Sequence, residues 1–92
     1  MPEPITIYGA TDCDDTQRTR ERLQALGVPF REVNIDYDPE AACLVRVING
    51  GNQSTPTVVI GSGRFKRVIT EPTNAEIDCL AAEAGYSVPS AP

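Results

Sequence analysis

The chain has no histidine and no tryptophan, and only 5% of its residues are aromatic. Histidine is the usual general base and the commonest metal ligand, so its absence excludes Ser-His-Asp hydrolysis, Cys-His proteolysis and typical zinc sites. Long apolar runs are also missing: the longest stretches, residues 5–10 and 58–60, fall far short of the roughly 20 residues that a membrane helix needs. Basic residues are scarce, 8 against 13 acidic ones for a net charge of −5. That balance opposes nucleic acid, whose phosphates require neutralisation. The opening Met1-Pro2-Glu3-Pro4 lacks the basic segment of a secretory signal, and a cytoplasmic location is expected. Cysteine is limited to Cys13, Cys43 and Cys79, an odd number at wide spacing that suits neither a disulfide framework nor a metal cluster. Thiol chemistry carried by a single residue is what remains.

What is present describes one globular domain. The 92 residues, 40% hydrophobic and 23% charged, match ordinary globular composition and leave no room for a second core. A single domain over residues 1–92 is expected, with an ordered core over about 4–86 and a loose tail over about 88–92. Residues 5–8 alternate β-branched and aromatic side chains and stop at Gly9, as a strand does. Over 14–26 the period becomes helical, with Thr16, Thr19, Leu23 and Leu26 on one face and Gly27 as the stop. Thr11 before Asp14, or Asp12 before Asp15, is expected to cap that helix. Phe30, Val33 and Ile35 mark a second strand. Asp38-Pro39 then opens a helix over 39–48 as N-cap and N1 residue, with Leu44, Val47 and Ile48 inward and Glu40 and Arg46 outward. Residues 57–60 and 65–69 form a hairpin about Gly61-Ser62-Gly63. A last helix over 73–84 starts at the capping-box pair Thr73 and Glu76 and stops at Gly85. The order is β-α-β-α-β-β-α. The first two strands are expected to be parallel, the crossover right-handed and the hairpin antiparallel.

This order puts Cys13 where the first strand turns into the first helix. Unpaired backbone N–H groups and the positive end of the helix dipole favour a thiolate there, and the thiolate is the nucleophile of disulfide exchange. Asp12, Asp14 and Asp15 oppose it by like charge, while Arg18 one turn on is placed to pair with Asp14 or Asp15. Sequence leaves the sign of the net shift open. Cys43 and Cys79 fall inside helices, away from a terminus, and are expected to be small apolar filler.

Thr11-Asp12-Cys13-Asp14-Asp15-Thr16 and Ser54-Thr55-Pro56-Thr57-Val58, in this order of elements, resemble the glutaredoxin family, and within it the actinobacterial mycoredoxins. Asn49-Gly50-Gly51-Asn52 and Ile69-Thr70-Glu71-Pro72-Thr73 add to the likeness. The resemblance implies an α/β, thioredoxin-like fold, a four-stranded mixed sheet flanked by three helices. It implies that Cys13 is the attacking cysteine of a Cys-x-x-Cys or Cys-x-x-Ser site. Thr16 stands at the second position, where its hydroxyl is placed to hydrogen-bond the thiolate but cannot close a disulfide, so a monothiol cycle is expected. Pro56 matches a cis proline facing the cysteine, and Thr55 the residue whose backbone meets the bound thiol. The thiol-binding surface expected by resemblance comprises Thr11, Asp12, Thr55, Pro56, Thr70, Glu71 and Thr73. No bound cofactor and no metal are expected. The co-substrate is a low-molecular-weight thiol, mycothiol or glutathione, and Glu71 favours uncharged mycothiol because it repels a carboxylate. Small thiols and thiol-modified proteins are the expected partners of a monomer.

Two other functions compete. A thioredoxin-fold module that has lost redox chemistry and binds a protein suits the missing resolving cysteine and the acidic flank. An iron-sulfur carrier suits them less, because Asp14-Asp15-Thr16 differs from the Gly-Phe-Ser that follows the cysteine in carriers of that type. One substitution tests the placement of residues 13 and 16 on a shared helical turn. Thr16→Cys is expected to form a disulfide with Cys13 under mild oxidation, read as the loss of two titratable thiols; retention of both would contradict it.

Overall fold

The computed structural model describes residues 2–88. Apart from Val88, the tail expected over 88–92 lies outside the described residues. Four strands and three helices follow one another: Ile5–Gly9 (β1), Asp14–Ala25 (α1), Arg31–Asn34 (β2), Pro39–Ile48 (α2), Thr57–Ile60 (β3), Arg67–Thr70 (β4) and Asn74–Glu83 (α3). The strands form one sheet in the order β2-β1-β3-β4. β1 runs parallel to β2, with Thr6 opposite Arg31 and Gly9 opposite Asn34. It runs antiparallel to β3, with Ile5 opposite Ile60, and β3 runs antiparallel to β4, with Thr57 opposite Thr70.

The two central strands carry the apolar side chains that bind the layers together. Alternation sends Ile5 and Ile7 of β1 and Val58 and Ile60 of β3 to one face. There they pack with Leu23 of α1 and with Ile77, Leu80 and Ala81 of α3. Tyr8, Ala10 and Val33 serve the other face, against Ile35 and the α2 residues Ala41, Ala42 and Val45. Every residue of β3 is buried, as befits a strand covered on both sides. Arg22 of α1 reaches Asp78 of α3 with two parallel hydrogen bonds of 2.7 and 2.6 Å, which sets the two helices side by side.

Several local expectations change. α2 does open with the Asp38 carboxylate accepting the Ala41 N–H at 3.0 Å, but its inward face is Ala41, Ala42 and Val45. Leu44 and Val47, expected inside, are 37% and 75% exposed. The helix is apolar nearly all round, so hydrophobicity alone does not set its phase. The small alanines let its backbone approach the sheet, and the larger side chains turn out. The same phase leaves Cys43 exposed, and Cys79 is exposed on α3; neither is filler. The strand expected over 65–69 starts later, because Gly63–Phe65 forms a turn of 3-10 helix and the first pair of the ladder is Ile60 with Arg67. No side chain caps α1, whose N-cap is Cys13 itself. The capping box expected for α3 is formed: the Thr73 hydroxyl accepts the Glu76 N–H at 3.1 Å and the Glu76 carboxylate accepts the Thr73 N–H at 2.9 Å.

The phase of α2 can be tested directly. Val45→Ala is expected to cost about 2 kcal/mol in chemical denaturation, because it empties a fully buried site. Val47→Ala should change stability by less than about 0.5 kcal/mol, and equal costs would contradict an inward Val45 and an outward Val47.

Candidate functional site

The site begins with the close approach of α1 to the end of β1. A Cβ on Gly9 would overlap the side chain of Thr16, so glycine is what lets the first turn of α1 close over the strand. Thr16 is fully buried, and its hydroxyl accepts the Ala10 N–H at 3.4 Å. Between them the chain reverses at Asp12, which takes the left-handed conformation with φ 56°, one that aspartate adopts more readily than most residues. Cys13 follows in extended conformation as the N-cap, its carbonyl accepting the Gln17 N–H at 3.0 Å.

The end of β2 holds this reversal in place. Asp36 accepts the Thr11 N–H at 2.8 Å, and Asn34 donates to the Thr11 hydroxyl at 3.0 Å. The Asn34 side chain also accepts the Asp36 backbone N–H at 2.9 Å, so it is tied to both Thr11 and the chain at Asp36. The Thr11 and Asp12 side chains therefore do not cap α1: that of Thr11 is bound to Asn34, and the backbone turn at Asp12 makes Cys13 the N-cap.

The loop before β3 faces the sulfur. The Thr55-Pro56 peptide is cis. Cys13 Sγ lies 3.8 Å from the Thr55 carbonyl oxygen and 3.4 Å from its hydroxyl. As a thiol it can donate to the carbonyl; as a thiolate it can accept from the hydroxyl. The Pro56 carbonyl accepts the Glu71 N–H at 2.8 Å, and Glu71 takes the left-handed conformation with φ 50°. Arg18 binds the Pro72 carbonyl at 2.8 Å and Asn74 Oδ1 at 2.9 Å. It also meets Asp15 at 3.5 Å. One guanidinium thus joins the first turn of α1 to the start of α3.

These surroundings settle the sign that sequence left open. Burial pushes the Cys13 thiol up, but hydrogen bonds from the Thr16 and Thr55 hydroxyls and from the Thr16 and Asp15 N–H groups outweigh it, and the pKa is lowered. Cys13 is half-buried, so its sulfur is stabilised without being sealed off. The three flanking aspartates are exposed, where water screens their charge.

Around this thiol the structure gathers Thr16, Thr55 and Pro56, with Thr11 and Asp12 in the turn before it and Glu71 beside Pro56. Thr73 is committed to capping α3. The Thr70 hydroxyl is engaged by Asn49, donating to its side-chain oxygen at 2.7 Å. Asn34 and Asp36 were not legible as site residues: they lie 23 and 25 positions from Thr11, and nothing local marks that contact.

A thiol at the mouth of the first helix, faced by a Thr-cis-Pro loop on this sheet, defines a thioredoxin-fold protein. A glutaredoxin of Archaeoglobus fulgidus shares the fold, with a TM-score of 0.66 at 24% identity over 85% of each chain. The glutaredoxin-like NrdH-redoxin of Escherichia coli superposes with a TM-score of 0.65 at 28% identity, over 84% of this chain and 93% of its own. Within that fold the chain belongs to the glutaredoxin family, whose model matches residues 5–65. A Mycobacterium tuberculosis (strain H37Rv) protein, named as a glutaredoxin, is 33% identical over 73 residues, covering 79% of this chain and 83% of the relative.

Alkylation of Cys13 against pH is expected to show a midpoint below the ordinary cysteine value of about 8.5. Thr55→Val removes one donor to the thiolate and should raise that midpoint. Because the folded value is the depressed one, Cys13 adds stability above the unfolded value and loses it as pH falls through the folded value. Cys13→Ser should therefore lack that part of the pH dependence of unfolding, and an unshifted midpoint in the native chain would contradict all three expectations.

Proposed function

We propose that the chain is a thiol–disulfide oxidoreductase that reduces mixed disulfides between proteins and small thiols by a monothiol cycle through Cys13. Membership of the glutaredoxin family supports the reaction class. The single observation that carries the proposal is the half-buried sulfur at the N-cap of α1, hydrogen-bonded so that its pKa is lowered.

In the first step the Cys13 thiolate attacks the small-thiol sulfur of a protein mixed disulfide. The S–S bond breaks, the protein thiolate leaves and takes up a proton, and Cys13 becomes the mixed disulfide with the small thiol. In the second step another small-thiol molecule, as its thiolate, attacks that same sulfur. A symmetric disulfide of the small thiol departs and Cys13 returns as thiolate, so each cycle consumes one small thiol from solution and converts one protein mixed disulfide to the free protein thiol. Thr16 stands where a second cysteine would resolve the intermediate, and the resolving thiol must therefore come from solution. NrdH-redoxin has a thioredoxin-like activity profile; the monothiol site favours mixed disulfides for this chain instead. Mycothiol suits the site better than glutathione, because Glu71 and the three aspartates disfavour added carboxylates. Cell redox homeostasis in a reducing cytoplasm is the corresponding role, and three unpaired cysteines suit that compartment. No helix among the described residues is long and apolar enough to cross a membrane.

Turnover of a small mixed disulfide by the native chain with excess small thiol tests this proposal. Cys13→Ser is expected to abolish it, whereas Cys43→Ser and Cys79→Ser should retain full rate because both sulfurs lie away from the site. A native chain without turnover would favour the non-catalytic binding module, and a Cys13→Ser variant that keeps it would overturn the role of Cys13 by placing the reaction on another thiol.

A further inference from the structure

Asn49 follows the last residue of α2 and is the C-cap of that helix. Its side-chain nitrogen donates to the Val45 carbonyl at 2.9 Å and to the Thr57 hydroxyl at 3.0 Å. Its side-chain oxygen accepts the Thr70 hydroxyl at 2.7 Å. A backbone carbonyl can only accept, so the Val45 contact fixes which end of the amide is the donor. Thr57 and Thr70 are direct partners in the ladder of β3 and β4, and the amide bridges the two hydroxyls at the end of that pair. One side chain therefore ties α2 to both strands of the hairpin.

The connection continues to the loop that faces the thiol. Thr57 is fully buried. Having accepted the Asn49 N–H, its hydroxyl has one proton left to direct, and it donates that proton to the Ser54 carbonyl at 2.8 Å. The Ser54 carbonyl belongs to the peptide that enters Thr55, whose own carbonyl and hydroxyl lie 3.8 and 3.4 Å from Cys13 Sγ. On the far side of the loop the Glu71 N–H holds the Pro56 carbonyl at 2.8 Å. The segment 54–56 is thus clamped at both ends, and the clamp on the Ser54 side is oriented by Asn49.

We propose that Asn49 is a positioning residue for the Cys13 site: through the buried Thr57 hydroxyl it fixes the Ser54 carbonyl, and with it the place of Thr55 against the sulfur. The proposal rests on Cys13 being the nucleophile but not on the identity of its substrate. Hydrogen-bond strength falls steeply with distance and angle, so a small drift of Thr55 is enough to weaken its bond to the thiolate.

The test is the pH dependence of Cys13 alkylation in a chain carrying Cys43→Ser and Cys79→Ser, measured without substrate. Asn49→Ala and Thr57→Val are each expected to raise the midpoint by about 0.5 pH units, lowering the thiolate fraction near neutral pH by about threefold. Thr57→Ser keeps the relaying hydroxyl and should retain the native midpoint. Ile77→Val, a core variant that makes none of these hydrogen bonds, should lower the melting temperature without moving it. Thr57→Val leaves α2 intact and decides the matter should Asn49→Ala fail to fold. Unmoved midpoints in Thr57→Val and in a folded Asn49→Ala, or an equal rise in Ile77→Val, would overturn the proposal. Absence of mixed-disulfide turnover in the native chain would instead count against the proposed function and leave these midpoints to decide the role of Asn49.

Discussion

The sulfur of Cys13 has to satisfy two demands that conflict. A nucleophile must be reachable, yet a thiolate in contact with protein needs donors in place of the water it loses. The fold meets both by placing the sulfur at a helix N-cap, half-buried, with hydroxyls and backbone N–H groups on its protein side. The remainder of the architecture serves that placement. β1 delivers the chain to the turn, Gly9 lets α1 close over it, and β2 anchors the turn through Asn34 and Asp36. The loop before β3 supplies Thr55 from across the sheet.

The acidic flank does not defeat this arrangement, and magnitudes show why. A hydrogen bond to a charged group contributes about 1.5–3 kcal/mol, whereas a unit charge 4 Å away acts with about 1 kcal/mol through water. Asp12, Asp14 and Asp15 are exposed, so their repulsion is further weakened by salt. The four donors lie against the sulfur itself. The aspartates retain an outward effect: they make the approach to the site acidic.

Thr16 serves the turn and the sulfur at once. Its hydroxyl hydrogen-bonds the thiolate, while it accepts the Ala10 N–H. A hydroxyl there can stabilise a thiolate but cannot form a disulfide with it. Under the proposed monothiol cycle the second thiol is supplied from solution.

Much of this was legible along the chain, because the signals are local. Alternation in β1, the Asp38-Pro39 opening of α2 and the Thr73–Glu76 capping box each involve residues within a few positions of one another, and each forms as expected. The placement of Cys13 at the start of α1 follows from them. The phase of α2 was not legible, since an almost wholly apolar helix turns whichever face packs best, and small alanines pack closest to the sheet. Nor was the sign of the Cys13 shift, which depends on Thr55, 42 residues away. The sequence by itself determined the order of elements and the placement of one thiol at the start of the first helix. Tertiary structure alone decided what surrounds that thiol, because hydrogen bonds between segments distant in the chain exist only once the sheet has brought those segments together.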